Sequence, residues 1–120
     1  EEEIKFDEAM AMCATEISMT RHCGFLECVY TPMGSMFNQV GKDLLETTYV
    51  IGTGGVIIHS ENPKRILEAS KFNPAEPIHL KPEHPKFLVD KTYILSSMGL
   101  LAQELPDLAI RIMKKYLIEV

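Results

Sequence analysis

Residues 47–58, Thr47-Thr48-Tyr49-Val50-Ile51-Gly52-Thr53-Gly54-Gly55-Val56-Ile57-Ile58, constrain the fold more than any other stretch. The first half is β-branched and aromatic and carries no charge, the composition of a strand buried on both faces. Three glycines in four residues then permit positive φ and remove the Cβ atoms that would hold a ligand away from the backbone. A strand ending in such a loop presents backbone N–H groups at its carboxyl end, where open α/β sheets bind ligands, often phosphates or nucleotides. The other reading of the same residues is a tight turn between a core strand and the next element. A dinucleotide fingerprint is excluded, because GxGxxG needs a third glycine where Ile57 stands.

A chain of 120 residues is one domain's worth. At this size roughly 65% of the unfolded surface can be buried, enough for a single core. The formal charge of -5 argues against a nucleic-acid partner, which selects basic faces. No apolar run approaches the roughly 20 residues needed to span a bilayer, and no basic-then-apolar leader is present. Three cysteines, an odd number without small-scaffold spacing, suggest reduced thiols in a cytoplasmic protein. The start at Glu1-Glu2-Glu3, without methionine, suggests a piece of a longer protein.

Along the chain, Phe6, Met10, Cys13, Ile17 and Thr20 recur at helical spacing. They predict a helix over 7–22, capped by Asp7, ended by Gly24, and bearing an apolar stripe that faces a partner surface. Strands are expected at 25–31 and 35–40 around the turn Pro32-Met33-Gly34, and a third from Leu44 into Ile51, giving three strands before the glycine loop. Asn62-Pro63 reads as a helix start, with Asn62 as cap and Ile66, Leu67 and Ser70 inward over 63–70. Residues 72–85 hold four of the seven prolines and read as extended loop. A short strand at 86–89 precedes a helix at 91–104 capped by Asp90, with Gly99 marking close packing. Pro106 opens a last helix whose inner face carries Leu105, Leu108, Ala109, Ile112, Met113, Tyr116 and Leu117, with Ile112 and Leu117 buried.

Other constellations lead to no chemistry. Cys13, Cys23, Cys28 and His22 lack the paired short spacing of a zinc site, and Cys13 falls on the expected inner helix face. His79 and His84 lie in the proline-rich loop and are expected to be solvated. A Cys–His nucleophile would need a third orienting group, and the sequence nominates none. Seven methionines fill a core or form a partner-binding surface.

Several segments carry a family resemblance: Arg21-His22-Cys23-Gly24, Val29-Tyr30-Thr31-Pro32-Met33-Gly34, Gly41-Lys42-Asp43-Leu44, Val50-Ile51-Gly52-Thr53-Gly54-Gly55-Val56 and Tyr93-Ile94-Leu95-Ser96-Ser97-Met98-Gly99-Leu100-Leu101, with the ending Arg111-Ile112-Met113-Lys114-Lys115-Tyr116-Leu117. In this order they resemble the C-terminal part of the GlmL family, also called MutL. These are accessory proteins of adenosylcobalamin-dependent glutamate mutase, unrelated to mismatch repair. The family is similar to sugar kinases, heat-shock chaperones and actin, which implies two α/β lobes with ATP and magnesium in the cleft between them. It also implies an ATP-dependent chaperone that reactivates a mutase by helping it shed damaged cobalamin.

By this resemblance Gly52, Thr53, Gly54 and Gly55 form the adenosine motif under the sugar and base, and Asp90 with Gly99 belongs to the second connecting segment. The sequence departs from the superfamily pattern in one place: the helix-starting proline, Pro63, comes only after the intervening stretch 56–62. No phosphate-binding glycine hairpin with its catalytic acid is found, so no catalytic and no metal residue is assigned.

The expected fold is α/β, a mixed sheet of about four to five strands with packed helices, most of the second lobe of an actin-like ATPase. The expected function is one wall of the nucleotide cleft of a cytoplasmic mutase-reactivating chaperone, with a mutase subunit and a nucleotide as partners. The intact protein is expected to use ATP, and these 120 residues alone are expected not to be catalytic. The rival is an interaction module, in which the glycine loop is a turn and a methionine-rich surface docks the mutase subunit.

Overall fold

The computed structural model describes the backbone of residues 2–120 and the side chains of residues 5–120. Helix α1 (Glu2–His22) leads into a hairpin of β1 (Phe25–Thr31) and β2 (Gly34–Val40). Strand β3 (Tyr49–Gly52) is followed by two short helices, α2 (Gly55–His59) and α3 (Pro63–Glu68). Strand β4 (Lys86–Asp90), helices α4 (Leu95–Leu101) and α5 (Pro106–Tyr116) and strand β5 (Leu117–Glu119) complete the order. The α/β class is the expected one, and the five strands divide into two sheets. One is the hairpin alone; the other has the order β3-β4-β5. Strand β4 runs parallel to β3 and antiparallel to β5. The hairpin therefore does not continue into β3, which corrects the expectation of three consecutive strands.

The core lies where the crossover helices cover β4. Leu67, Phe87 and Val89 form its buried centre, with Val50, Ile57, Ile58 and Val120 packed around them. Pro63 sits in the first turn of α3, where its missing N–H costs nothing. The helix then turns Ile66 and Leu67 inward, and Ser70 is buried just beyond its end, as expected. The Asn62 side chain makes no capping bond; instead the Asn62 N–H donates to the Ser60 hydroxyl. Strand β3 differs more. It stands at the sheet edge among the described residues, with Tyr49 and Ile51 exposed and only Gly52 fully buried. Its composition suits a doubly covered strand, and in this chain only one edge and part of one face find partners.

Helix α1 packs on α3 and α2. It begins upstream of the expected start, so Asp7 lies within it and cannot cap it. The stripe of Phe6, Met10, Cys13 and Ile17 points to solvent rather than inward. The partly covered side carries Ala11, Met12, Thr15 and Met19 instead. Gly24, just past the helix, is needed for close approach. A Cβ there would lie 2.6 Å from the Val40 carbonyl oxygen and 2.7 Å from the Lys42 nitrogen.

The proline-rich segment 72–85 has no helix or strand, as expected, yet part of it is interior: Leu80, Lys81 and Pro82 are buried. Its backbone ties the hairpin base to the rest. The Leu26 N–H donates to the Ile78 carbonyl, the Leu80 N–H to Gly24, the Leu44 N–H to Leu80 and the Phe72 N–H to Pro82. These bonds satisfy polar groups that burial would otherwise orphan. His79 is half-buried, with Nδ1 lacking a partner among the described residues, which corrects the solvated placement; His84 is exposed.

Asp90 is buried, and its two carboxylate oxygens accept the N–H groups of Ile94 and Leu95, each at 3.1 Å. The helix expected over 91–104 is shorter, Leu95–Leu101 with Ile94 in the N-cap position, and Asp90 supports its start from across an intervening turn. Gly99 is exposed, with no atom near where its Cβ would be. Pro106 starts α5 as expected. Ala109 is its buried residue, while Ile112 and Leu117 are only half-buried and Leu105 is exposed. The helix stops at Tyr116 because Leu117 turns extended and enters β5, which pairs Leu117 with Asp90.

Candidate functional site

Parallel pairing brings two chain segments to one place. Gly52 is in register with Val89, so the loops leaving the carboxyl ends of β3 and β4 emerge side by side. This is the end of a parallel sheet at which ligands gather in open α/β folds. The loop after β3 holds Thr53, Gly54 and Gly55; the turn after β4 holds Lys91, Thr92 and Tyr93.

The three glycines serve three different needs. A Cβ on Gly52 would stand 2.8 Å from Leu67 Cδ2 and 3.0 Å from Ile57 Cγ2, so Gly52 is small because the core packs against the strand end. Gly54 has φ 104° and ψ 153°, a conformation open only to glycine at low cost, and no atom lies within 4 Å of a Cβ there. A Cβ on Gly55 would meet the Tyr93 hydroxyl at 3.3 Å. Gly54 is thus the point where an approaching group could reach backbone unhindered. Thr53 is exposed beside it.

Two open grooves flank the loop. One, of about 420 Å³, lies between α1 and β3 and is lined by Ser18, His22, Ile51, Gly52, Thr53 and Leu67 among others. The other, of about 380 Å³, lies between the start of α1 and α2, with Asp7, Glu8, Gly55, Val56, His59 and Ser60. The first is apolar with hydroxyls, a surface that suits a sugar or a flat ring. The second carries two carboxyl groups, and Glu8 Oε1 is buried without a hydrogen-bond partner among the described residues. Neither lining includes lysine or arginine. No three His, Cys, Asp or Glu side chains cluster as a metal site among the described residues. The loop and these grooves thus combine exposed backbone, hydroxyls and, at the second groove, two carboxyl groups, with Lys91 in the neighbouring turn after β4.

The structure brings Gly52, Thr53, Gly54 and Gly55 together at one strand end and adds Tyr93, which sequence reasoning missed. Its conformation left no trace in residue type. Only the parallel register of β3 and β4 would have pointed to the turn after β4.

This fold, with a glycine loop at the carboxyl end of a parallel pair, accompanies a clear family assignment: the MutL protein family matches residues 1–117, and the chain belongs to it. Among known proteins it is 62% identical over 120 residues to Protein MutL from Clostridium tetanomorphum. That alignment covers 100% of this chain and 26% of the relative, so the chain spans about a quarter of the relative's length. No solved structure matches the chain. Among the described residues no helix is long and apolar enough to cross a membrane.

Proposed function

We propose that this chain supplies the nucleoside-binding wall of the ATP cleft in a protein that reactivates an adenosylcobalamin-dependent mutase of the glutamate mutase type. The observation that carries the reading is Gly54: a left-handed, unobstructed backbone at the carboxyl end of a parallel strand pair. Membership of the MutL family, with that family's resemblance to actin-like ATPases, supports a nucleotide as the ligand of that loop. In this role Gly52 seats the strand end against Leu67, Gly54 lets sugar or base approach the backbone, and Thr53 offers a hydroxyl beside it. ATP hydrolysis would supply the free energy for remodelling the mutase. The phosphate and magnesium ligands would come from other parts of the full-length protein. Phosphoryl transfer depends on positioning and charge stabilisation around the phosphates, and in this reading those groups lie outside this chain. Binding by the 120 residues alone should be millimolar or weaker, about -4 kcal/mol.

The test is a steady-state ATPase assay with magnesium on the full-length protein and on this chain. Turnover by the full-length protein, lost in Gly54→Val, with none by the chain alone, is the expected result. Clear turnover by the chain alone would mean that a complete active site has been read as part of one. Unchanged turnover in Gly54→Val would reduce the loop to a turn.

A further inference from the structure

We infer that Tyr93 is a ligand-contacting residue of the glycine-loop site, its hydroxyl hydrogen-bonding a sugar hydroxyl of a nucleoside held on the loop. The inference rests on the nucleotide reading above and adds a second segment of the chain to the site. Three observations carry it. First, Tyr93 is the non-glycine residue with positive φ among the described residues, at 55°. A bulky side chain pays a free-energy penalty in that region, and such penalties persist where surrounding structure enforces them, often at ligand sites.

Second, the enforcement is visible. The Tyr93 N–H donates to the Asp90 carbonyl at 3.4 Å, while the buried Asp90 carboxylate holds the next two N–H groups, those of Ile94 and Leu95. The turn is clamped on both sides of the strained residue. A turn whose only task was to connect β4 to α4 would be met at lower cost by glycine or asparagine.

Third, the strain aims the phenol at the loop. Its hydroxyl reaches Gly55, next to the open side of Gly54, and the residue stays 50% exposed. The ring therefore contributes little to the core, which lies around Leu67, Phe87 and Val89. Instead it sets a polar atom beside Gly55, the neighbour of the unobstructed Gly54. Tyrosine is suited to such a place, presenting an apolar body with a hydroxyl that donates and accepts. A nucleoside sugar presents hydroxyls of the same dual character, which a phosphate does not.

The experiment uses the full-length protein and calorimetric titration with ADP and 2′,3′-dideoxy-ADP, on wild type, Tyr93→Phe and Tyr93→Gly. Thermal unfolding of each variant is measured alongside. Tyr93→Phe removes only the hydroxyl and should weaken ADP binding by roughly threefold to tenfold. It should leave binding of the dideoxy nucleotide at its wild-type value. Tyr93→Gly removes the strain, so it should unfold at an equal or higher temperature while binding ADP at least as weakly as Tyr93→Phe. ADP affinities within twofold of wild type in both variants would overturn the role of Tyr93 and leave the glycine loop's assignment standing. Equal weakening of ADP and dideoxy-ADP by Tyr93→Phe would overturn the sugar contact. No ADP binding by the wild-type protein would overturn the nucleotide reading and this inference together.

Discussion

Two glycines illustrate how differently the same residue type is used. At Gly24 the missing Cβ makes room for backbone, with the Val40 carbonyl and the Lys42 nitrogen both inside 3 Å. At Gly52 it makes room for methyl groups of Leu67 and Ile57, side-chain atoms rather than backbone. Gly24→Ala should therefore cost about 3 kcal/mol and Gly52→Ala about 1 kcal/mol. Chemical denaturation of the two variants decides the order; equal losses would show that the backbone at 40–42 yields as easily as a side chain.

The cysteines separate in the same way. Cys13 and Cys28 are exposed and Cys23 is buried. Burial pushes the Cys23 thiol above its ordinary 9.0, and the nearby Lys81 ammonium only partly offsets this. A raised pKa means that the folded state holds the proton longer than the unfolded chain does. The resulting stabilisation is complete below about pH 9 and fades as pH rises from there towards the folded value. A thiol reagent at pH 8 should modify two cysteines rapidly and the third only on unfolding. Three equal rates would place Cys23 at the surface.

At the scale of elements, local chemistry was legible and partnership was not. Pro32-Met33-Gly34 announced the hairpin, and both Pro63 and Pro106 marked helix starts that the structure keeps. The glycine loop was legible as a strand end. The faces of α1 were not, because apolar residues occur on more than one side: Met12 and Met19 are partly covered while Phe6, Met10 and Ile17 are exposed. Strand β5 was missed because Leu117 continues the spacing of α5, and only the open edge of β4 draws it into the sheet. Tyr93 was missed because its role comes from a neighbour 38 positions away in sequence, Gly55, brought close by the strand register.

The hairpin makes a measurable contrast with the central sheet. Every residue of β2 is exposed, and β1 is little better covered. A two-stranded hairpin with both faces in water is marginal by itself. Hydrogen exchange of the 120-residue chain should therefore be fast throughout β2 and slowest in β4, whose Phe87, Val89 and Asp90 are buried. Comparable protection in the two would mean that the hairpin is covered in solution.

Taken whole, the molecule is a plate of 55 × 44 × 19 Å with a radius of gyration of 17.5 Å. A compact chain of this length would have about 13.6 Å. The thin dimension is scarcely more than a sheet and one layer of helices, so much apolar surface lies at the outside: Tyr30, Met33, Met36 and Phe37 on the hairpin, Phe6 and Met10 on α1. The apolar content that suits a single core is present, but the architecture spreads it over two faces.

Strand β3 carries this furthest. Tyr49, Val50 and Ile51 are uncharged and β-branched or aromatic, and among the described residues the strand's outer edge has no lysine or proline of the kind that keeps edges from templating another chain. By itself the chain should be sticky, adding copies edge to edge through β3 as concentration rises. Light scattering across a concentration series should register this association, and Ile51→Lys should suppress it by placing a charge on the exposed strand. A wild-type chain that stays monomeric throughout would show the edge to be guarded. The residues that lead the strand into the glycine loop would thus also set the solubility limit of the chain that carries them.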